Sequence, residues 1–118
     1  MIALEEIRSM IKRLPGAREE PSYGSPGFKV KKKLFARLHQ KEDAVVIVLN
    51  SVQEQQRLIA ENPEIYYIIE HSRGYLAVLL NRYITEVEFF PILERAWRRV
   101  AGKGDLLEYE EHNGRAGA

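Results

Sequence analysis

The chain has 118 residues, 45% hydrophobic and 30% charged, and its 18 Lys and Arg nearly balance 17 Asp and Glu, for a formal net charge of +1. That size and balance fit one soluble globular domain able to bury its own core, and argue against disorder over most of the length. The absence of cysteine excludes disulfides, thiolate nucleophiles, iron–sulfur clusters and cysteine-held zinc, and no apolar run approaches the roughly 20 residues that span a bilayer. A cytoplasmic protein with no membrane partner is expected.

In chain order, Ile2, Leu4, Ile7, Met10, Ile11 and Leu14 recur at helical spacing with charged residues between them, an amphipathic first helix. Pro15 and Gly16 should stop it near Leu14. Residues Glu20 to Gly27 include Pro21, Gly24, Pro26 and Gly27, a density of breakers that reads as a loop. From Phe28 to His39, apolar and cationic residues alternate as in a β-hairpin, with Phe28 and Phe35 directed to a core and Lys29, Lys31 and Arg37 to solvent. Between Lys29 and Lys41 lie six Lys or Arg and no Asp or Glu. Such local charge in a nearly neutral chain points to an anionic partner.

Ala44 to Leu49 is a continuous aliphatic run and reads as a buried central strand. Ser51 and Glu54 have capping-box spacing, which starts a second helix, and Pro63 should end it at Asn62. Ile65 to Ile69 and Tyr75 to Leu80 read as two further strands joined as a hairpin. Thr85 and Glu88 repeat the capping spacing ahead of a last helix whose apolar stripe is Val87, Phe90, Leu93, Trp97 and Val100. With Thr85 as cap, Pro91 falls beyond the first turn and should kink that helix; otherwise the regular helix begins nearer Pro91. Gly102 and Gly104 should end it, leaving an acidic, partly flexible tail over 105–118 after a single domain over 1–104. The expected architecture is α+β, two layers, with a mainly antiparallel five-stranded sheet, helices on one face, and the order α-β-β-β-α-β-β-α.

Several stretches together resemble the MmcQ/YjbR family of small bacterial proteins. They are Leu14-Pro15-Gly16-Ala17, Phe28-Lys29-Val30, Lys33-Leu34-Phe35-Ala36, Gly74-Tyr75-Leu76-Ala77-Val78 and Ala96-Trp97-Arg98-Arg99-Val100-Ala101. The resemblance implies a fold like that of type III secretion chaperones and a DNA-binding role with a so-called double-wing arrangement, and it brings no enzymatic signature. Many relatives turn the hairpin with glycines before the lysine, where this chain has Lys31-Lys32-Lys33.

The expected function is a non-enzymatic nucleic-acid-binding domain in which Lys29, Lys31, Lys32, Lys33 and Arg37 contact phosphate. Arg95, Arg98 and Arg99, with Lys103, form a second cationic cluster that would join them if it adjoins the hairpin. The acidic residues from Asp105 to Glu111 would compete if they folded onto the cationic face. The alternative is a protein-interaction module, homodimeric or with another protein, that uses the open sheet face or the Ile65 to Ile69 strand. Among Tyr66 and Tyr67 only one can face the core, while Tyr23, Tyr75 and Tyr83 would stack on bases only if exposed. His71 and Ser72 lack an orienting acid, His39, His71 and His112 lack paired metal-ligand spacing, and the glycines of Tyr23 to Gly27 lack the lysine of a phosphate loop. No catalytic residue, cofactor or metal is expected.

Overall fold

In the computed structural model, residues 1–22, 24–69 and 76–117 are described, and of 113–117 only the backbone. Helix α1 (Leu4–Ile11) starts where the Glu6 carboxylate accepts from the Ala3 amide at 3.0 Å, and it buries Ile7, Met10 and Ile11. A turn closed by Ala17 N–H donating to Leu14 O leads into four consecutive strands, β1 (Ala17–Ser22), β2 (Ser25–Val30), β3 (Lys33–His39) and β4 (Ala44–Val48). Helix α2 (Val52–Glu61), strands β5 (Tyr66–Tyr67) and β6 (Ala77–Asn81), and helices α3 (Glu86–Val100) and α4 (Lys103–Gly117) follow.

The sheet has six strands in the order β1-β2-β3-β4-β6-β5, and each neighbouring pair is antiparallel. All four helices contribute to one core on one of its faces. There Phe28, Phe35, Val45, Ile47, Val78 and Leu80 meet Ile7, Leu58, Phe89, Leu93, Trp97 and Tyr109. Each large apolar side chain so enclosed stabilises the fold by about 1.5–3 kcal/mol. On the opposite face, Ala44, Val46, Ala77 and Leu79 form a small second cluster flanked by Tyr67 and Ile69. Those four are themselves covered, with Leu79 fully enclosed. The α+β, antiparallel, one-sided arrangement is as expected from the sequence.

Three expectations are corrected. Of the breaker-rich stretch from Glu20 to Gly27, read as a loop, Glu20 to Ser22 close β1 and Ser25 to Gly27 open β2, and β1 is the sixth strand. Pro21 stands opposite Pro26, so the two missing N–H donors fall on one rung of the ladder. Gly27 belongs to the strand for lack of room, since a Cβ there would lie 2.7 Å from the Ser22 Cβ and 3.1 Å from the Glu20 carbonyl oxygen. Second, Lys103–Gly117 forms a helix where the sequence suggests an acidic, partly flexible tail from 105. Asp105 accepts from the Gly102 amide at 3.1 Å, and Tyr109 is buried with its ring edge-on to Trp97 at a centroid separation of 4.9 Å. Third, the strand expected over Ile65 to Ile69 is regular only at Tyr66 and Tyr67, with Ile65 O also accepting from the Asn81 amide of β6 at 2.8 Å.

Both capped helices start where the sequence places them. Ser51 accepts from the Glu54 amide at 3.1 Å and Thr85 from the Glu88 amide at 3.2 Å. Pro91 therefore lies inside α3. The buried stripe of α3 is Phe89, Ile92, Leu93, Ala96, Trp97 and Val100, whereas Val87 is 85% exposed. The Trp97 indole donates to Pro15 O at 2.9 Å and so joins α3 to the turn after α1. Gly16 in that turn has φ +78°, a conformation L side chains rarely adopt, and the Asp105 carboxylate closes over it. Among the described residues no helix is long and apolar enough to cross a membrane.

Candidate nucleic-acid interface

Strands β2 and β3 are joined by Lys31 and Lys32 alone, with Val30 and Lys33 closing the hairpin. Lys31 holds φ 56°, in the left-handed region where glycine is ordinarily preferred. A bulge offsets the register, since Phe28 pairs with Ala36 but Lys29 pairs with Leu34, leaving Phe35 as the extra residue. Phe35 and Ala36 can therefore both enter the core, fully buried. Simple alternation does not account for that pair.

Cross-strand partners share a face, so the register assigns sides to the cations. Lys29 is half-buried and lies opposite Arg18, on the side away from the helices. Lys33 pairs with Val30, a core residue, and so belongs to the helix side. Lys31, Lys32 and Lys33 are exposed. Two arginines brace this corner of the sheet. Arg18 donates to Lys31 O at 2.6 Å and also pairs with Glu20, while Arg99 from the last turn of α3 donates to Leu34 O at 3.1 Å. Among the described residues no carboxylate pairs with Lys29, Lys31, Lys32, Lys33 or Arg99.

The remaining sequence candidates are placed elsewhere. Arg37 lies midway along β3, half-buried opposite Gly27 and Val46, and donates to Leu38 O at 3.4 Å. Arg95 pairs with Glu54 of α2 at 3.1 Å. Arg98 pairs with Glu110 at 2.9 Å and Glu94 at 3.8 Å and stacks over the Tyr109 ring, and the Glu110 hydrogen bond is the largest influence raising its pKa. Of the second cluster the structure thus brings Arg99 to the hairpin, and engages Arg95 and Arg98 with carboxylates. Of the acidic residues of α4, Glu110 meets Arg98 and Asp105 accepts from the Gly102 amide, and among the described residues none pairs with a hairpin lysine. Arg18 is the residue that sequence reasoning missed. Its signal was its place directly after Leu14-Pro15-Gly16-Ala17, hidden while the next residues read as a loop.

Of the tyrosines, Tyr66 is buried, Tyr67 is half-buried on the other face, and Tyr83 is 72% exposed. Tyr23, Tyr75 and the His71-Ser72 pair lie outside the described residues. In a shallow depression lined by Asn50, Ser51, Gln53, Glu54, Arg57 and Arg95, Ser51 caps α2 and Glu54 holds Arg95. Among the described residues no group of three or more His, Asp or Glu could hold a metal ion.

The family model described as YjbR matches residues 12–99, which runs from the end of α1 through Arg99. The chain belongs to the YjbR family. The fold of this YjbR protein also matches the crystal structure of Deinococcus radiodurans protein DR2400, which carries the family-model domain DUF419. The TM-score is 0.73 at 15% identity, covering 92% of this chain and 88% of that one. No curated protein matches. The matched segment contains the whole basic corner from Arg18 to Arg99, whereas α4 lies beyond it.

Proposed function

We propose that this YjbR domain binds nucleic acid without catalysing a reaction on it, using the corner formed by Arg18, Lys29, Lys31, Lys32, Lys33 and Arg99 for contacts to backbone phosphates. The observation that carries this reading is the separation of charge in a chain of net charge +1. At the opposite end of the sheet stand the acidic first turns of α1 and α3, with Glu5, Glu6, Glu86 and Glu88. That end is located by Ile2 N–H donating to Arg82 O and by Asn81 opposite Ala44. The two ends of the sheet thus differ in charge, although Asp105 of α4 lies beside Gly16 at the hairpin end, and the lysines set a local positive field. Such a field orients an approaching polyanion toward the lysines and accelerates encounter.

Ammonium groups at a hairpin turn suit phosphate oxygens, because they neutralise charge without demanding a fixed base geometry. The reading therefore predicts affinity without strong sequence preference and with steep salt dependence, a log–log slope of roughly −0.9 for each duplex phosphate neutralised. The test is fluorescence anisotropy of labelled DNA over a salt series, comparing the native chain with a variant in which Lys29, Lys31, Lys32 and Lys33 are all changed to Gln. Salt-sensitive binding that the variant loses supports the assignment. Absence of binding at low salt, or binding indifferent to the four substitutions, rejects it.

A further inference from the structure

We infer that a second copy of this chain docks end to end, its basic β2–β3 turn seated on the acidic end of the sheet where α1 and α3 begin. The contact does not depend on the nucleic-acid reading, although it occupies the same lysines. The acidic end collects Glu5 and Glu6 from the first turn of α1 and Glu86 and Glu88 from that of α3. A carboxylate suits a helix start on its own, but here two helices bring theirs together. Glu6 and Glu86 hydrogen-bond each other, which raises the Glu86 carboxyl above its ordinary value of 4.5 and lowers that of Glu6. At neutral pH this is a contact of like charges. Among the described residues no Lys or Arg side chain pairs with Glu6, Glu86 or Glu88. The N-terminal amine bears on Glu6 and Arg13 on Glu86 through space, each more weakly than the two carboxyls bear on each other. Arg82, at the same end, is committed to Asp43 at 2.6 Å and to the Ile2 carbonyl at 2.9 Å.

The occupant follows from what the same chain carries at its other end. Lys31, Lys32 and Lys33 are exposed and, among the described residues, pair with no carboxylate. An ammonium placed between Glu6 and Glu86 relieves their repulsion, and a lysine on a two-residue turn has the flexible stem and compact head group to enter there. Strand register puts the two surfaces at opposite ends of the sheet. Val30 and Lys33 close the hairpin at one end, while His39 opposite Ala44 and Ala44 opposite Asn81 mark the other, where Ile2 N–H donates to Arg82 O. Surfaces so placed meet only between molecules, and the contact they make is head-to-tail rather than two-fold. The acidic end also offers apolar area, since Tyr83 is 72% exposed and Val87, next to Glu86 in the chain, is 85% exposed. The aliphatic stems of the lysines suit such a surface while their charged heads reach the carboxylates. A net charge of +1 sets little overall repulsion against the approach of two copies.

The test is sedimentation equilibrium over a concentration series in roughly 20 mM and 500 mM salt, between which the Debye length falls from about 20 Å to about 4 Å. The proteins are the full native chain, an acidic-end variant (Glu6→Gln with Glu86→Gln), a turn variant (Lys31→Gln with Lys32→Gln), and the two variants mixed in equal amounts. The native mass should rise above that of the monomer with concentration in low salt and return to it in high salt. Each variant alone should associate at least roughly 10-fold more weakly. The mixture should regain association and stop at the dimer, because each variant supplies the surface the other lacks and each dimer ends in two altered surfaces. Far-UV circular dichroism confirms the fold of each variant. A native chain still monomeric in low salt at about 1 mM, a concentration that populates complexes of millimolar affinity, overturns head-to-tail docking. Association that high salt leaves intact, a single variant that associates like the native chain, or a mixture that stays monomeric overturns it too. The acidic-end variant keeps every lysine of the corner, so its anisotropy titration with labelled DNA reports separately on the nucleic-acid reading.

Discussion

Replacing Tyr109 by alanine tests whether α4 is a structural part of the domain. The Tyr109 ring is 5% exposed, packs edge-on against Trp97, lies 5.3 Å from the Arg98 guanidinium and donates its hydroxyl to Glu94. Truncating a buried aromatic residue to alanine costs about 3–5 kcal/mol. Because α4 lies at the border of the core and can settle into part of the space, the lower end of that range, about 3 kcal/mol, is expected. With a urea m-value of roughly 1.5 kcal/mol per M, the midpoint should fall by about 2 M. Tyr109→Phe keeps the ring and removes the hydrogen bond to a carboxylate, so it should cost about 1.5 kcal/mol. The assay is urea unfolding followed by intrinsic fluorescence, for which Trp97, the single tryptophan and fully buried, is the reporter. Tyr109→Ala should also shift the native emission to the red as the indole loses its cover. An unchanged midpoint together with unshifted emission would refute the packing of α4 on Trp97.

Three further outcomes follow from the geometry. Lys31→Gly relieves a left-handed residue at φ 56°, worth about 1–2 kcal/mol, against the greater freedom of glycine in the unfolded chain, so urea unfolding should show a net gain of about 0.5 kcal/mol; a loss would contradict the strain. Gly16→Ala should destabilise by about 2–3 kcal/mol, since its Cβ would lie 2.8 Å from the Asp105 carboxylate oxygens at φ +78°. Gly24→Ala, at φ +77° with open space around it, should cost only about 1 kcal/mol, and equal losses at the two sites would remove Asp105 from the account. Arg8 donates to both carboxylate oxygens of Glu19, at 2.8 and 2.9 Å, and holds that carboxyl below its ordinary value of 4.5. A lowered folded-state pKa contributes stability that is present above the unfolded value and lost as pH falls through the folded one. Glu19→Gln should therefore flatten the fall in unfolding free energy below pH 4.5, and an unchanged acid limb would count against the pair.

Local signals carried much of the architecture. The Ser51–Glu54 and Thr85–Glu88 spacings locate two helix starts because a cap needs only neighbours three residues apart. The aliphatic run from Ala44 marks the strand it becomes, and the lysines of the β2–β3 turn were recognisable as a cationic element. Features that depended on distant partners were not legible. Pro21 and Pro26 read as breakers singly, and only their opposition across β1 and β2 makes them compatible with strands. Gly102 and Gly104 suggested an end to order, but Asp105 and Tyr109 find their contacts on the Gly102 amide and Trp97, and those contacts hold α4 in place. The apolar stripe of α3 holds at Leu93, Trp97 and Val100, with Phe90 packed at its border, but it also takes in Phe89, Ile92 and Ala96 and leaves Val87 exposed. At the candidate site, Arg99 differs from Arg95 and Arg98 only in what lies opposite, a strand carbonyl instead of a carboxylate.

The two margins of the sheet limit how copies of this chain can meet. One margin is β1, whose six residues include Arg18, Glu19, Glu20 and Pro21, and the other is β5, only two residues long. A proline offers no N–H to an incoming strand, like charges stacked between chains repel, and a two-residue edge provides too little ladder to nucleate pairing. Growth by backbone addition is thereby opposed at both margins among the described residues, so this fold can tolerate crowding of its own copies without seeding fibres.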